Sequence, residues 1–596
     1  MTALPRWDLS NVFPSLESKE FEAALEKVKT RIDDLENLFT GKITGMDGET
    51  QARVLAPMVG DVIVKFNDLY ELSGTLRAYI NSFVTTDSHN MLAMKKMSEF
   101  QMVGARMQKV RTQFQAWIGK LAPVLEEIIP ADPITTAHAF ALRYTAEQAK
   151  YLMSEAEEIL GAELNLSGSN AWSKLQGTVT SQLTVDFELD GRVQKLPMPA
   201  LINLHSHPDE AVRRRAYEAE ITAWKSVREP LAACMNGVKG TANTFNKHRG
   251  RSDAVHQAID MARIDRATLE TMLAAMEASF PVFRQYFQAK AKRLGKDKLA
   301  WWDIFAPAGR SEKKYTFEEA RNFIVVHFAR FTTEMADFAM GAFNHRWIDA
   351  EQREGKRGGA FCMGIPAVKE SRVLCNFDGT LDQVSTIAHE LGHAFHNYCA
   401  YQANKTEMQQ DTPMTLAETA SIMNETLVME AVLAQTTDPQ EQLAILETQL
   451  IGDAQVIVDI YSRYIFEKEV FERREKSELS ADDLCDIMER AQKATYGELS
   501  AYHPYMWTWK PHYYYGGLPF YNFPYAFGLL FGIGLYAIYQ QRGAEFVPDY
   551  KNLLASTGEA SAADLAARFG IDIRSRKFWE DSLNVIAKRI ERYCAL

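Results

Sequence analysis

Cysteine is scarce. The chain has six in 596 residues, at Cys234, Cys362, Cys375, Cys399, Cys485 and Cys594, with no C-x-x-C pair among them. That excludes a disulfide framework and leaves reduced thiols as the expectation. Positive charge is also in deficit, with 66 Lys and Arg against 78 Asp and Glu and a net charge of −12, which argues against nucleic acid as a partner. The most basic stretch, KAKRLGKDK at 290–298, is short and reads as a solvated helix end. The opening MTALPRWDLSNVF lacks the apolar core of a secretory signal. The longest apolar run, Phe523 to Tyr539, holds Pro524 and three glycines and falls short of a membrane span. A cytoplasmic address with no membrane partner is therefore expected. Internal repeats and low-complexity tails are absent too.

What is present is the composition of a globular protein, 46% hydrophobic and 24% charged, at a length that calls for two or more lobes. Apolar residues recur at helical spacing over Phe21 to Leu38 and Leu92 to Leu121. LTVDFELDGRVQKL alternates apolar and polar residues around Asp190-Gly191, a β-hairpin signal expected to mark the join between lobes. The pair His205 and His207 has no acidic or thiol partner at ligand spacing, and reads as a loop before a helix capped by Ser206 or Asp209. WWDIFAP at 301–307 reads as an extended crossing segment ending at a proline. Residues 357–380, with Gly358-Gly359 and a strand-like Arg372 to Phe377, predict a small sheet.

The densest chemistry lies in TIAHELGHAFHNYCA, Thr386 to Ala400. It contains H-E-x-x-H as His389, Glu390 and His393. On a helix, positions i and i+4 share a face, so the two imidazoles can hold one metal ion. Glu390 sits about 100° round from His389, placed to act as base on water at that ion. Neutral imidazoles suit zinc, and a catalytic zinc site usually has three protein ligands and an open position. A third histidine ten residues after His389 is ruled out, because that position is Cys399. Glu418, 25 residues beyond His393 in PMTLAETASIMNETLVME, is the expected third ligand. Glu425, seven further on, is expected to orient a ligand histidine. His396 shares the face of His389 and reads as a structural or supporting imidazole.

HELGHAFH followed by AETAS at this spacing resembles the M3 family of zinc peptidases, in its oligoendopeptidase F branch. WDLSNVFPS at 7–15, KRGGAFC, VLCNFDGTLDQVSTIAHE and PHYYYGGLPFYNFPYAFG are similar to other segments of that branch, so the likeness spans nearly the whole chain. It implies a mainly α, two-lobed peptidase with a small β-sheet next to the zinc helix and a deep substrate channel. The expected division is a helical N-terminal lobe over 1–195, ending in the hairpin, and a catalytic domain over 196–596. It further implies one zinc ion per chain and oligopeptide substrates. By the same resemblance, an edge strand with Gly358, Gly359, Ala360 and Phe361 pairs with the peptide backbone, and His512 faces the oxyanion. Tyrosines follow that histidine in the family. Here Gly516, Gly517, Leu518 and Pro519 intervene, so Tyr515, Tyr521 and Tyr525 are all candidates, Tyr521 first and Tyr525 second for the oxyanion, with Tyr515 at the substrate.

Two alternatives to an oligoendopeptidase stay open at this point. A carboxypeptidase of related fold would need a cation for the substrate's terminal carboxylate, and no lone Arg or Lys in the site stretches announces one. A non-catalytic peptide binder would have no need of intact ligands and base.

Overall fold

The computed structural model describes residues 4–43, 45–309 and 313–596. Helices dominate. The longer elements run α1 (Lys19–Thr40), α2 (Ala52–Thr86), α3 (Met91–Leu121), then the strands β1 (Thr184–Leu189) and β2 (Arg192–Pro197). Next come α4 (Glu210–His248), α5 (Arg266–Arg293), the strands β3 (Ile348–Asp349), β4 (Phe361–Ile365) and β5 (Glu370–Leu374), and the helices α6 (Leu381–Gln402), α7 (Thr419–Gln435) and α8 (Phe523–Arg542). The hairpin forms at the predicted place, with Asp190 and Gly191 at positive φ of 52° and 73°, as a two-residue turn of this kind requires.

The chain divides into two compact units, each assembled from three segments. The first comprises residues 1–152, 313–431 and 538–570, the second 153–312, 432–537 and 571–596. The hairpin lies inside the second unit, and the first crossing follows Leu152.

In the first unit, α1, α2 and α3 share a core in which Phe21, Val28, Leu55, Ile63, Phe66 and Val110 are fully or almost fully buried. The small sheet has the order β3-β5-β4, with β3 parallel and β4 antiparallel to the central β5, so β4 is an edge. The N-terminal segment ties into this sheet. Arg372 on β5 donates from Nε to the carbonyl of Asp8 and from Nη2 to Asn11, while Trp7 meets Phe361 edge-on.

In the second unit, Phe527 and Phe531 of α8 pack against Trp579 and Phe578. By length and composition Phe523–Ala555 is apolar enough to cross a membrane, but 67% of its most apolar window is buried inside the fold. Two expectations need correcting here. Lys290, assigned above to a solvated helix end, is fully buried, donating to the carbonyl of Ile304 at 2.7 Å and pairing with Glu447. A bare buried ammonium would be costly, and these two acceptors offset that cost. The segment at 301–307 opens with a helical turn at Trp301–Asp303 rather than an extended run, because Asp303 bonds back to the backbone N–H of Ala300.

Candidate metal centre and active site

Helix α6 starts where Thr380 caps it, its hydroxyl accepting from the N–H of Gln383 at 3.3 Å. Val384, Ile387, Ala388, Leu391, Ala394 and Phe395 make its buried face. That face fixes the helix against β4 and β5, which leaves His389 and His393 mostly buried but reachable one turn apart, their ring centroids 5.0 Å from each other. Glu418 sits between a short helical turn, Met414–Ala417, and the start of α7. Its approach to α6 depends on Gly392, where a Cβ would come within 2.5 Å of the Ser421 Cα and 2.6 Å of the Ala420 carbonyl oxygen. Only glycine allows the two backbones this close.

The result is a convergence of three donors. Glu418 Oε2 stands 3.2 Å from His389 Nε2 and 3.4 Å from His393 Nε2, and the three ligand atoms lie within 4.8 Å of one another. Ser421 donates to the same Glu418 oxygen at 2.7 Å and holds the carboxylate in place. Behind His389, Nδ1 is 3.0 Å from Glu425 Oε2. Burial disfavours a charge on His389, but Glu418 and Glu425 outweigh it and push the imidazole up to about 10. Against its own burial, His389 and His393 hold Glu418 well below the usual carboxylate range. Two carboxylates around two imidazoles make a site that stabilises positive charge, and a divalent ion competes with protons for such donors. The residues therefore fit a metal.

Glu390 is directed elsewhere. It is 6% exposed, and its Oε2 has no hydrogen-bond partner among the described residues. Burial raises its pKa, with Glu418 and Glu425 adding to the effect and His389 and His393 opposing it. A buried carboxylate with a free oxygen and raised basicity suits general-base work. A cavity of 640 Å³ joins these groups, lined also by Ala360 and by Phe361, Cys362 and Gly364 of the edge strand. Gly358 and Gly359 precede that strand in a turn, Gly359 at φ +79°.

His396 is not among the three converging donors. It is buried, its Nε2 2.8 Å from the Thr557 hydroxyl, which meets Thr412 at 2.7 Å. The polar wall that these residues form with Asn397, Gln409, Gln410 and Asp411 was missed by sequence reasoning. Ser421 had a readable signal, because it lies three residues after Glu418 within AETAS.

The second unit holds the aromatic cluster. His512 is 7% exposed and faces Tyr521, their rings nearly parallel at 6.1 Å. Tyr515 meets Tyr521 edge-on at 5.8 Å, and the hydroxyls of Tyr521 and Tyr525 are 3.0 Å apart. All four sequence candidates thus occupy one place. His512 Nε2 lacks a partner among the described residues, and burial, with Arg463, Lys510 and Lys239 nearby, pushes the ring down to about 2. It is a neutral imidazole with an unused nitrogen. Trp507, Phe520 and Phe523 are buried core. Gly516 packs on Ser169, and the Gly517 carbonyl accepts from Gln257 at 3.2 Å. Asp209 caps α4 as predicted, but His205 is a surprise: with His503 it flanks the buried Glu220, at 3.2 Å and 2.9 Å. Trp224 Nε1 donates to the same carboxylate at 2.9 Å. Trp224 lies one helical turn from Glu220, but no local spacing in the sequence links His205 or His503 to that carboxylate.

The family model for peptidase family M3 matches residues 203–585, well over half the chain and including every one of the donors above. The chain belongs to peptidase family M3. It is a metalloendopeptidase, a hydrolase of peptide bonds. Among curated relatives, an oligoendopeptidase F homolog of Lactococcus lactis is 23% identical, covering 98% of this chain and 96% of its own. The oligopeptidase PepF of Bacillus subtilis is 22% identical, covering 98% and 86%. Among solved structures, one from Chlamydophila abortus has a TM-score of 0.84 at 20% identity, covering 99% of this chain and 98% of its own. The oligoendopeptidase-F of Enterococcus faecium has a TM-score of 0.69 at 16%, covering 96% and 98%. These likenesses carry the helical peptidase fold.

Proposed function

We propose that this member of the family is a zinc-dependent endopeptidase that cuts internal bonds of short, unstructured oligopeptides. The observation that carries the reading is the convergence of His389, His393 and Glu418 beside a buried Glu390 that keeps one oxygen free. Ligands about 2.0–2.1 Å from a tetrahedral zinc stand roughly 3.4 Å apart. The spacings of 3.2 Å and 3.4 Å agree with that. One zinc ion per chain, held by these three residues, would polarise a peptide carbonyl and acidify water.

The protein's own groups do the rest. Glu425 fixes the His389 ring so that Nε2 presents its lone pair. Glu390 takes a proton from the attacking water and returns it to the leaving amine. The outer edge of β4 takes no backbone hydrogen bond from the described residues, so an extended peptide can pair there through main-chain groups alone. Ala360 and Phe361, with the Gly358-Gly359 turn, are the assigned contacts; Tyr515 is assigned to the substrate only through the resemblance to oligoendopeptidase F. A backbone pairing of this kind needs an extended chain and reads few side chains, which supports flexible oligopeptides of varied sequence as substrates. The names of the Lactococcus and Bacillus relatives support the same class. Oxyanion stabilisation is assigned through the resemblance to His512 with Tyr521 or Tyr525.

Glu390→Gln tests the reading. It keeps size and hydrogen bonding but removes the base. Turnover should fall by about 10²–10⁴-fold with zinc content unchanged. Full activity in that variant would remove Glu390 from the mechanism.

A further inference from the structure

A cation stands at the start of the edge strand, and the mechanism does not use it. Arg357 lies four residues before Phe361 in KRGGAFC, exposed, its guanidinium 5.8 Å from the Phe361 ring centroid. It has no carboxylate partner among the described residues. Its neighbour Lys356 is the opposite case: fully buried, bonded to Asp349 Oδ1 at 2.7 Å and to three carbonyls, it is structural. The backbone at Arg357 is pinned from both sides. Its N–H donates to the Thr85 carbonyl at 2.8 Å, and Asn376 Nδ2 donates to the carbonyls of Arg357 and Gly359 at 3.1 Å and 2.9 Å. Beside it lies open space, since a Cβ built on Gly358 or Gly359 meets nothing within 4 Å. The cavity itself contains the opposite charge. Glu390, Glu418 and Asp411 line it, and no Lys or Arg among the described residues does.

We infer that Arg357 is a specificity-determining residue that takes a carboxylate of the bound peptide, beyond the cavity and at the N-terminal end of β4. The inference rests on the peptidase reading above, with the peptide along the β4 edge. A peptide paired there extends past Phe361 towards the Gly358-Gly359 turn, where Arg357 is the charged group presented. The planar guanidinium suits two-point binding of a carboxylate, and the fixed backbone with the Phe361 ring beneath reduces the freedom lost on pairing. The cavity offers a peptide carboxylate no Lys or Arg among the described residues, whereas Arg357 does, so Arg357 sets which stretch of peptide lies across the catalytic residues. The carboxylate is either the peptide's C-terminus or an Asp or Glu side chain.

The test uses the full zinc-loaded enzyme and two pairs of roughly ten-residue peptides, a length that stays unstructured. One pair differs only in a free or amidated C-terminus, the other only in an internal Glu or Gln. The wild type should show a KM about five- to tenfold lower for the acidic twin in one pair. A gap in the first pair assigns the terminal carboxylate, and a gap in the second assigns the side chain. Arg357→Gln should close that gap by raising KM for the acidic peptide alone, with kcat and the neutral twin unchanged, and Arg357→Lys should restore part of it. No gap in the wild type overturns the inference, as does a gap that survives in Arg357→Gln or an equal loss on both twins. If Arg357→Gln does not fold, a reduced gap in Arg357→Lys supports the assignment and an unchanged gap overturns it. Failure of the underlying peptidase reading is distinct, because the wild type would then cut none of the four peptides.

Discussion

His389 Nδ1 lies 3.0 Å from an oxygen of Glu425, and this contact decides which way the imidazole faces. With Nδ1–H donating to the carboxylate, the lone pair is on Nε2, the atom that stands 3.2 Å from Glu418. Glu425→Ala should weaken zinc binding by about 10–100-fold, while Glu418 and His393 keep a residual site. Competition against a graded chelator measures this. Wild-type affinity in the variant would show that His389 is oriented by something else.

The closeness of α6 and α7 makes a second prediction. Gly392→Ala must separate two backbones, because both atoms it meets are main-chain. Overpacking of this kind costs about 1–3 kcal/mol. The variant should melt several degrees lower and bind zinc less well, since Glu418 moves with α7. Unchanged melting and zinc content would mean that the helices adjust without cost.

The grouping of His389, His393 and Glu418 was legible in the sequence and much of its setting was not. His389, Glu390 and His393 are encoded by spacing within one helix, and Glu418 and Glu425 by spacing near the start of the next. Both are local properties. Helical periodicity likewise located α1 and α3, and Asp190-Gly191 located the hairpin. The polar wall around His396 is different. Thr412 and Thr557 are 145 residues apart and meet only in the fold, where Thr557 also reaches His396 of α6. Glu220 and His503 are 283 residues apart and carry no pattern that links them. Lys290 was misassigned for the same reason, because the Glu447 that accepts it is 157 residues distant. Arg357 was in plain view within a stretch already singled out, but its lack of a carboxylate partner is a fact of three dimensions.

His396 gives a pH prediction. Its burial, with His393 nearby, pushes the ring down to about 4, against roughly 6.5 in an unfolded chain. Between those values the unfolded chain takes a proton that the folded chain refuses, so stability falls as pH drops through that window and is fully present above it. Denaturant titrations across this range should show a steeper acid loss for the wild type than for His396→Gln. Identical slopes would place the acid sensitivity in other groups.

Zinc should stabilise as well as activate. A ligand at 100 times its dissociation constant adds about 2.7 kcal/mol. Chelation should therefore lower the melting temperature and zinc should restore it, with neither effect in His393→Ala. A chelator response that persists in His393→Ala would point to a different metal site.

The most direct measurement is the digestion of one unstructured peptide of about ten residues, followed by mass spectrometry, with chelator, with zinc restored, and with Glu390→Gln in place of the wild type. The account predicts internal cuts that vanish with chelator, return with zinc and are missing in the zinc-loaded variant. Residues shed only from the C-terminus would contradict internal cleavage. Intact peptide from the zinc-loaded wild type would contradict the account at its centre.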